Sequence, residues 1–173
     1  MRRVLTTSFF DRPADIVARE LLGKYLCRRI DGSTHALKII ETEAYIGPHD
    51  LASHAARGRT ARNAPMFGPA GTWYVYFVYG MHWMLNVVTG PTNFPAAVLI
   101  RGVEGISGPA RLTKHLQIAR AQNAAHTTRA SGLWIEDRDD DITPRAITRT
   151  PRIGVGYAGP VWSEKRLRFV LRA

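Results

Sequence analysis

Residues 71 to 88, GTWYVYFVYGMHWMLNVV, hold six aromatic rings, Trp73, Tyr74, Tyr76, Phe77, Tyr79 and Trp83, within eleven consecutive positions of a 173-residue chain that is only 9% aromatic. Aromatic and β-branched residues at that density favour extended backbone, and Tyr79-Gly80 offers a place to bend, so the stretch predicts a hairpin. Period two puts Tyr74 and Tyr76 on one face and Trp73, Val75, Phe77 and Tyr79 on the other. A hairpin with rings on both faces needs a covering layer or a ligand on each. Trp73 and Phe77 are expected to be core, with Tyr79 presented at the tip.

The rest of the chain supplies the layers. Asp11 is expected to cap a helix over 12–23, with Pro13 in its first turn, Ile16, Val17, Leu21 and Leu22 at helical spacing, and Gly23 to end it. YLCRRIDGSTHALKIIETEAYI reads as two strands joined at Asp31-Gly32, and strict alternation would put Leu37, Ile39, Glu41, Glu43 and Tyr45 on one side. Residues 46–71 are loop-rich, with a short helix expected around Leu51 to Ala56. A strand at AAVLIRGVE, a helix from Ser107-Pro109 to about Arg120, and short strands at LWIE, RIGVG and LRFVLR complete the pattern. No internal repeat appears. The expected architecture is α+β: one domain over 1–173, with a mainly antiparallel sheet and a few flanking helices.

Charge sets the partner class. With 24 Lys plus Arg against 14 Asp plus Glu, the net charge is +10 and the isoelectric point about 10.5, a balance that attracts polyanions, nucleic acid first. Only Lys24, Lys38, Lys114 and Lys165 are lysines; the other cations are arginines, whose planar fork suits phosphate. EDRDDD at 136–141 opposes that reading locally and is expected to be a solvated loop facing away from any ligand. Cys27 is the single cysteine, which excludes an internal disulfide or a multi-cysteine metal site and fits a reducing compartment. No apolar run reaches the roughly 18 residues of a membrane helix, and MRRVLTTSFFDRPADIV lacks a secretory apolar segment. A cytoplasmic protein with no membrane contact is expected.

Three constellations carry candidate chemistry. ETEAY, 41–45, ends a strand with two carboxylates on one face and a tyrosine, an arrangement that suits acid–base work, although the fragment alone is explained better by surface carboxylates. In GPHDLASHAARGR, His49 and His54 are five apart, which is not the i, i+3 or i, i+4 spacing of a helical metal pair, so a histidine bonding a substrate or the backbone fits better. The third is the aromatic hairpin. Tyrosine faces beside positive charge suit stacked, extruded bases, and a ring at a hairpin tip suits parting of base steps.

ETEAYIGPHDLASHA, RTARNAPMF and GTWYVYFVYGMHWMLNVV, followed by AVLIRGVE, SGPARL and RIGVGYAGP…LRF, together resemble the 3-methyladenine (alkylpurine) DNA glycosylase family, over about Phe9 to Val170. The resemblance implies a curved, partly barrel-like sheet and a monofunctional enzyme of base excision repair that needs no cofactor or metal. Its partner would be double-stranded DNA carrying alkylated or deaminated purines, with no obligate protein partner. Glu43 matches the carboxylate that activates water, Arg101 an arginine beside that water, and Ile153 a backbone carbonyl contacting it. Tyr45, His54, Tyr76 and Asn86 match the base pocket, Asn86 as the residue that obstructs normal guanine. Tyr79, with Met81 and His82, matches the intercalating tip, and Arg59, Arg62 and Arg111 match phosphate contacts. Asn86 can also be read as a strand residue satisfied by a neighbour. This chain departs from many relatives in joining the Arg101 strand almost directly to the SGPARL helix.

Two rivals use the same residues. A non-catalytic binder of damaged nucleic acid would need the basic, aromatic surface but neither Glu43 nor Arg101. A metal-dependent nuclease would draw on Glu41, Glu43, His49, Asp50 and His54.

Overall fold

A computed structural model describes residues 2–140 and 142–172. In chain order its elements are β1 (Arg3–Val4), α1 (Thr7–Phe10), α2 (Ala14–Glu20), β2 (Tyr25–Ile30), β3 (Ser33–Tyr45), β4 (Trp73–Val78), β5 (His82–Thr89), β6 (Ala96–Val103), β7 (Ile106–Ser107), α3 (Pro109–His115), β8 (Leu133–Asp137), β9 (Ile147–Thr150), α4 (Gly159–Ser163) and β10 (Arg168–Leu171). The strands form one curved, unclosed sheet in the order β1-β8-β2-β3-β6-β5-β4, with β10 bonded to β3 and β9 to β10. Its pairings are all antiparallel, as expected for an α+β chain.

The thirteen-residue β3 organises this sheet. Its first half pairs with β2 through a turn in which Asp31 (φ 48°) and Gly32 (φ 80°) both take left-handed backbone, the geometry an Asp-Gly pair supplies. Its second half pairs with β6 on one edge and β10 on the other. Between the halves the strict alternation predicted from sequence breaks. Ile39 pairs with Val103, Glu41 with Gly102 and Thr42 with Ile100, so β3 carries one extra residue at Ile40 and β6 one at Arg101. Each extra residue reverses the faces of its strand. Leu37 and Ile39 belong to the main core before the bulge, whereas Ala44 does so after it, and Thr42 there donates its buried hydroxyl to Ala18 O of α2 at 2.8 Å. Glu41, Glu43 and Tyr45 therefore face away from the core and do not share the side of Leu37 and Ile39.

The helices differ from expectation in extent. α2 starts at Ala14 behind Pro13 without a side-chain cap, while Asp11 closes the separate turn α1. Gly23 (φ 82°) ends the α2 region as predicted. α3 stops at His115 instead of near Arg120, its start set by Gly108 (φ 97°) and Pro109. The connection from β6 to α3 is the tight β6–β7 hairpin. No helix forms at Leu51 to Ala56, because Asp50 and Ser53 accept backbone N–H groups of Ala52 and Ala55 and hold the chain in successive turns. RIGVG is loop; the neighbouring strand is Ile147–Thr150.

The aromatic hairpin forms as β4–β5, with Tyr79 at φ 53° and Gly80 at φ 65° in its loop. Trp73 and Val75 enter the core, and the Trp73 indole donates to Leu133 O. Phe77, expected in the core, lies past its edge and is 43% exposed, packed on Trp83. The acidic run is not simply solvated. Glu136 is buried between Arg129 and Arg138, Asp137 pairs with Lys24, and Asp140 pairs with Lys38; Asp141 lies outside the described residues. Cys27 is buried in β2, and burial pushes its thiol up to about 12. Among the described residues no helix is long and apolar enough to cross a membrane.

Deletion of Ile40 would leave the Arg101 irregularity unmatched and reverse one half of β3. The expected result is loss of the cooperative unfolding transition followed by circular dichroism, whereas Ile40→Ala retains it.

Candidate active site

Four strands and two loops converge on the face that the paired bulges expose. β3 presents Glu41, Glu43 and Tyr45. β6 presents Arg101. β4 and β5 present Tyr74, Tyr76 and Asn86, and the loops after β3 and β9 bring in His54, Ile153 and Tyr157.

Glu43 is fully buried, yet Arg101, the Ile153 N–H and Tyr45 all favour its ionised form. Its Oε1 accepts the Ile153 N–H at 2.8 Å and lies 3.5 Å from an Arg101 Nη, and its Oε2 accepts the Tyr45 hydroxyl at 3.1 Å. Burial is the larger influence and pushes the carboxyl above the usual carboxylate range, against Arg101, Ile153 and Tyr45 in that order. The Tyr45 phenol is pushed up as well, by burial and then by Glu43, so it keeps its proton and remains a donor. Arg101 spans both carboxylates: its Nε donates to Glu41 at 2.9 Å, and Arg168 donates to the same Glu41 oxygen at 2.6 Å. A cation held this way is fixed beside Glu43 without being neutralised by it alone.

A pocket opens next to this pair, walled by Tyr45, Tyr76, His54, Asn86 and Tyr157. The cleft leading to it includes Glu43, Arg101, Ile153 and, at its rim, Tyr79. His54 sits edge-on to Tyr76, with ring centroids 4.5 Å apart, and shares a 2.9 Å hydrogen bond with the Tyr74 hydroxyl. Burial of its ring, then the charge of Arg62, pushes the imidazole pKa down, which keeps it neutral at pH 7. Asn86 donates to Tyr74 O at 3.1 Å, so it is both a strand residue satisfied by a neighbour and part of the pocket wall.

Tyr79 and Met81 stand out from the hairpin tip, 87% and 67% exposed, and His82 is half-buried where β5 begins. Arg62 donates to Phe77 O and lies over the Tyr76 ring, which ties it to the hairpin. Arg59 lies over Phe67, and Arg111 is exposed in the first turn of α3. Ile153 engages Glu43 through its N–H; the expectation had concerned its carbonyl.

Sequence reasoning missed the interaction that holds these segments together. Arg152 and Asp50 form a buried bidentate pair at 2.6 and 2.9 Å. Asp50 also accepts the Ile46 and Ala52 N–H groups, and Arg152 donates to Ala44 O and covers the Tyr45 ring at 4.7 Å. Asp50 had drawn notice only as one of five ligands a metal nuclease would use. Those five have other partners: Glu41 pairs with Arg101 and Arg168, Asp50 with Arg152, and His49 packs on Trp162. Among the described residues no three acidic, His or Cys side chains are grouped to hold a metal. Tyr157 was missed too; its hydroxyl donates to Ala52 O at 2.7 Å, and its one sequence signal was a tyrosine in the glycine-rich run Gly156-Tyr157-Ala158-Gly159.

The model of a family described as methylpurine-DNA glycosylase matches residues 8–173. Three relatives carry the description "Putative 3-methyladenine DNA glycosylase". One from Myxococcus xanthus is 46% identical over 97% of this chain and 90% of its own length. One from Anaeromyxobacter dehalogenans (strain 2CP-C) is 46% identical over 97% and 83%, and one from Legionella pneumophila (strain Corby) 41% identical over 98% and 95%.

Because the folded Glu43 carboxyl is held above its unfolded value, ionising it costs stability. The cost is absent below about pH 4, where the group is protonated in both states, and is fully present above the raised value. Glu43→Gln is therefore expected to raise Tm at pH 7, by about 2–4 °C for each kcal/mol relieved. The gain should vanish on acidification below about pH 4, as read by thermal melts across pH.

Proposed function

The chain belongs to the methylpurine-DNA glycosylase family, and from that premise we propose that it is a monofunctional DNA glycosylase that extrudes damaged purine nucleotides from duplex DNA and hydrolyses their N-glycosidic bonds. The observation that carries this reading is a fully buried carboxylate, Glu43, fixed by Ile153 and Arg101 beside a pocket walled by tyrosines.

In the proposed reaction Tyr79 enters the minor groove at the hairpin tip and fills the space the nucleotide leaves, with Met81 and His82 alongside. Arg59, Arg62 and Arg111 contact phosphates. The extruded base stacks on Tyr45 and Tyr76 and meets His54 at its edge. A water held by Glu43, Arg101 and the Ile153 carbonyl gives a proton to Glu43 as its oxygen bonds to the sugar C1′, and the base departs with the electron pair of the broken C–N bond. Ionised Glu43 also steadies the positive charge that develops on the sugar.

Substrate preference follows from charge. A purine alkylated at a ring nitrogen arrives positive, is attracted to tyrosine faces and leaves as a neutral molecule. Such bases, 3-methyladenine and 7-methylguanine, are the proposed main substrates, with hypoxanthine and ethenoadenine as neutral ones. A neutral His54 adds no repulsion, and Asn86 at the wall stands where the exocyclic amine of normal guanine would press. The motifs offer no lysine for a Schiff base, so the product is an intact strand with an abasic site. The protein is proposed to act in the cytoplasm, on the nucleoid.

The deciding test is single-turnover release of base, in EDTA, from duplex DNA that is methylated or carries one hypoxanthine. Release by the native protein and none by Glu43→Gln is expected, with no adduct trapped by borohydride. DNA bound without release by either would leave the non-catalytic binder. Activity should fall on the acid side at a pH above the usual carboxylate range, as Glu43 gains its proton. Replacing Arg59, Arg62 or Arg111 singly by Ala should reduce the slope of log K against log salt by about 1. An unchanged slope would count against the residue concerned.

A further inference from the structure

The Asp50–Arg152 pair sits where its charge balance matters to the pocket. Arg152 lies over Tyr45 with its guanidinium carbon 4.7 Å from the ring centroid, and its side chain has no solvent exposure. The ring face it covers is therefore closed, and Tyr45 meets the pocket by its remaining surface. A cation behind an aromatic wall repels a second cation in front of it. Asp50, bidentate to Arg152 and equally without exposure, cancels that charge. The remaining wall side chains are neutral, since the tyrosines keep their protons and His54 is held uncharged; Arg62 over the Tyr76 ring is a second cation beside the wall, and it is the same in every variant compared below.

We propose that Asp50 sets the pocket's preference for positively charged over neutral bases, by cancelling Arg152 behind the Tyr45 ring. The proposal rests on the glycosylase reading. Asp50 acts through Arg152 and touches no base, so it is a positioning and charge-setting residue. With Asp50 neutralised, Arg152 would repel a base that arrives positive and would favour a neutral one by comparison. With Arg152 neutralised and Asp50 kept, the sign reverses. A purely structural pair gives no such reversal, because loosened packing weakens both kinds of base together.

The experiment uses the full chain carrying Glu43→Gln, so that binding is read without turnover. Kd is measured for otherwise identical duplexes with one 7-methylguanine, which is cationic, or one hypoxanthine, which is neutral. Asp50→Asn is expected to lower the preference for 7-methylguanine by on the order of tenfold, the size of one unscreened charge at pocket range. Arg152→Gln is expected to raise it, and the double variant to return it close to the parent value. Shifts of the same sign in the two single variants, or equal factors on both duplexes, would overturn the proposal. If one single variant does not fold, the sign of the other against the double variant decides. Failure of the glycosylase reading would show separately, as no base release by the native protein.

Discussion

One buried ion pair ties together three of the segments that make the site, the two loops and the end of β3. Asp50 anchors the loop that carries Ala52, Ser53 and His54, while Arg152 anchors the loop that carries Ile153, Val155 and Tyr157 and also grips the end of β3 at Ala44. Two opposite charges without solvent are costly to bury, and the pair is tolerable because hydrogen bonds satisfy most of its remaining polar atoms. The exception is Arg152 Nε, which finds no partner among the described residues. Losing either partner would leave an uncompensated charge under the pocket floor. The geometry of Glu43 depends on this pair through Ile153, whose N–H is fixed by the residue beside it in the chain.

The second constraint is the paired irregularity in β3 and β6. Without it, Glu41, Glu43 and Tyr45 would continue the inward face of Leu37 and Ile39, and two carboxylates would point into the main core. One added residue on each strand keeps the pairing in step while moving both carboxylates, with Arg101, to the other face. That is how a long hydrophobic strand serves both as core and as active-site floor.

The elements legible in the sequence were those whose signals are local. Asp31-Gly32, Tyr79-Gly80, the alternation in β4 and the apolar run of β6 all settle their own backbone, and the structure follows them. Illegible features were those decided by partners far along the chain. The bulges depend on how Ile40 and Arg101 meet across strands, and the buried Arg152 depends on an aspartate about a hundred residues earlier. A basic residue in a basic chain gives no sign that it is buried. The helix expected at Leu51 to Ala56 failed for a local reason, because side chains of Asp50 and Ser53 outcompete helical hydrogen bonds. Within the candidate site, Glu43, Arg101, Tyr45, His54, Tyr76 and Asn86 are candidates by family resemblance, and all six line one cleft and pocket in the structure. The place of Tyr157, the Glu41–Arg168 contact and the Asp50–Arg152 pair arise only in the folded chain.

The single thiol of this chain is sheltered from reagents as well as from solvent. Thiolates are the side chains that electrophiles consume first, and a thiol pushed up to about 12 within a strand supplies almost no thiolate at neutral pH. The agents that methylate purines are electrophiles of the same kind. A sulfhydryl that is both protonated and enclosed offers such agents little to react with.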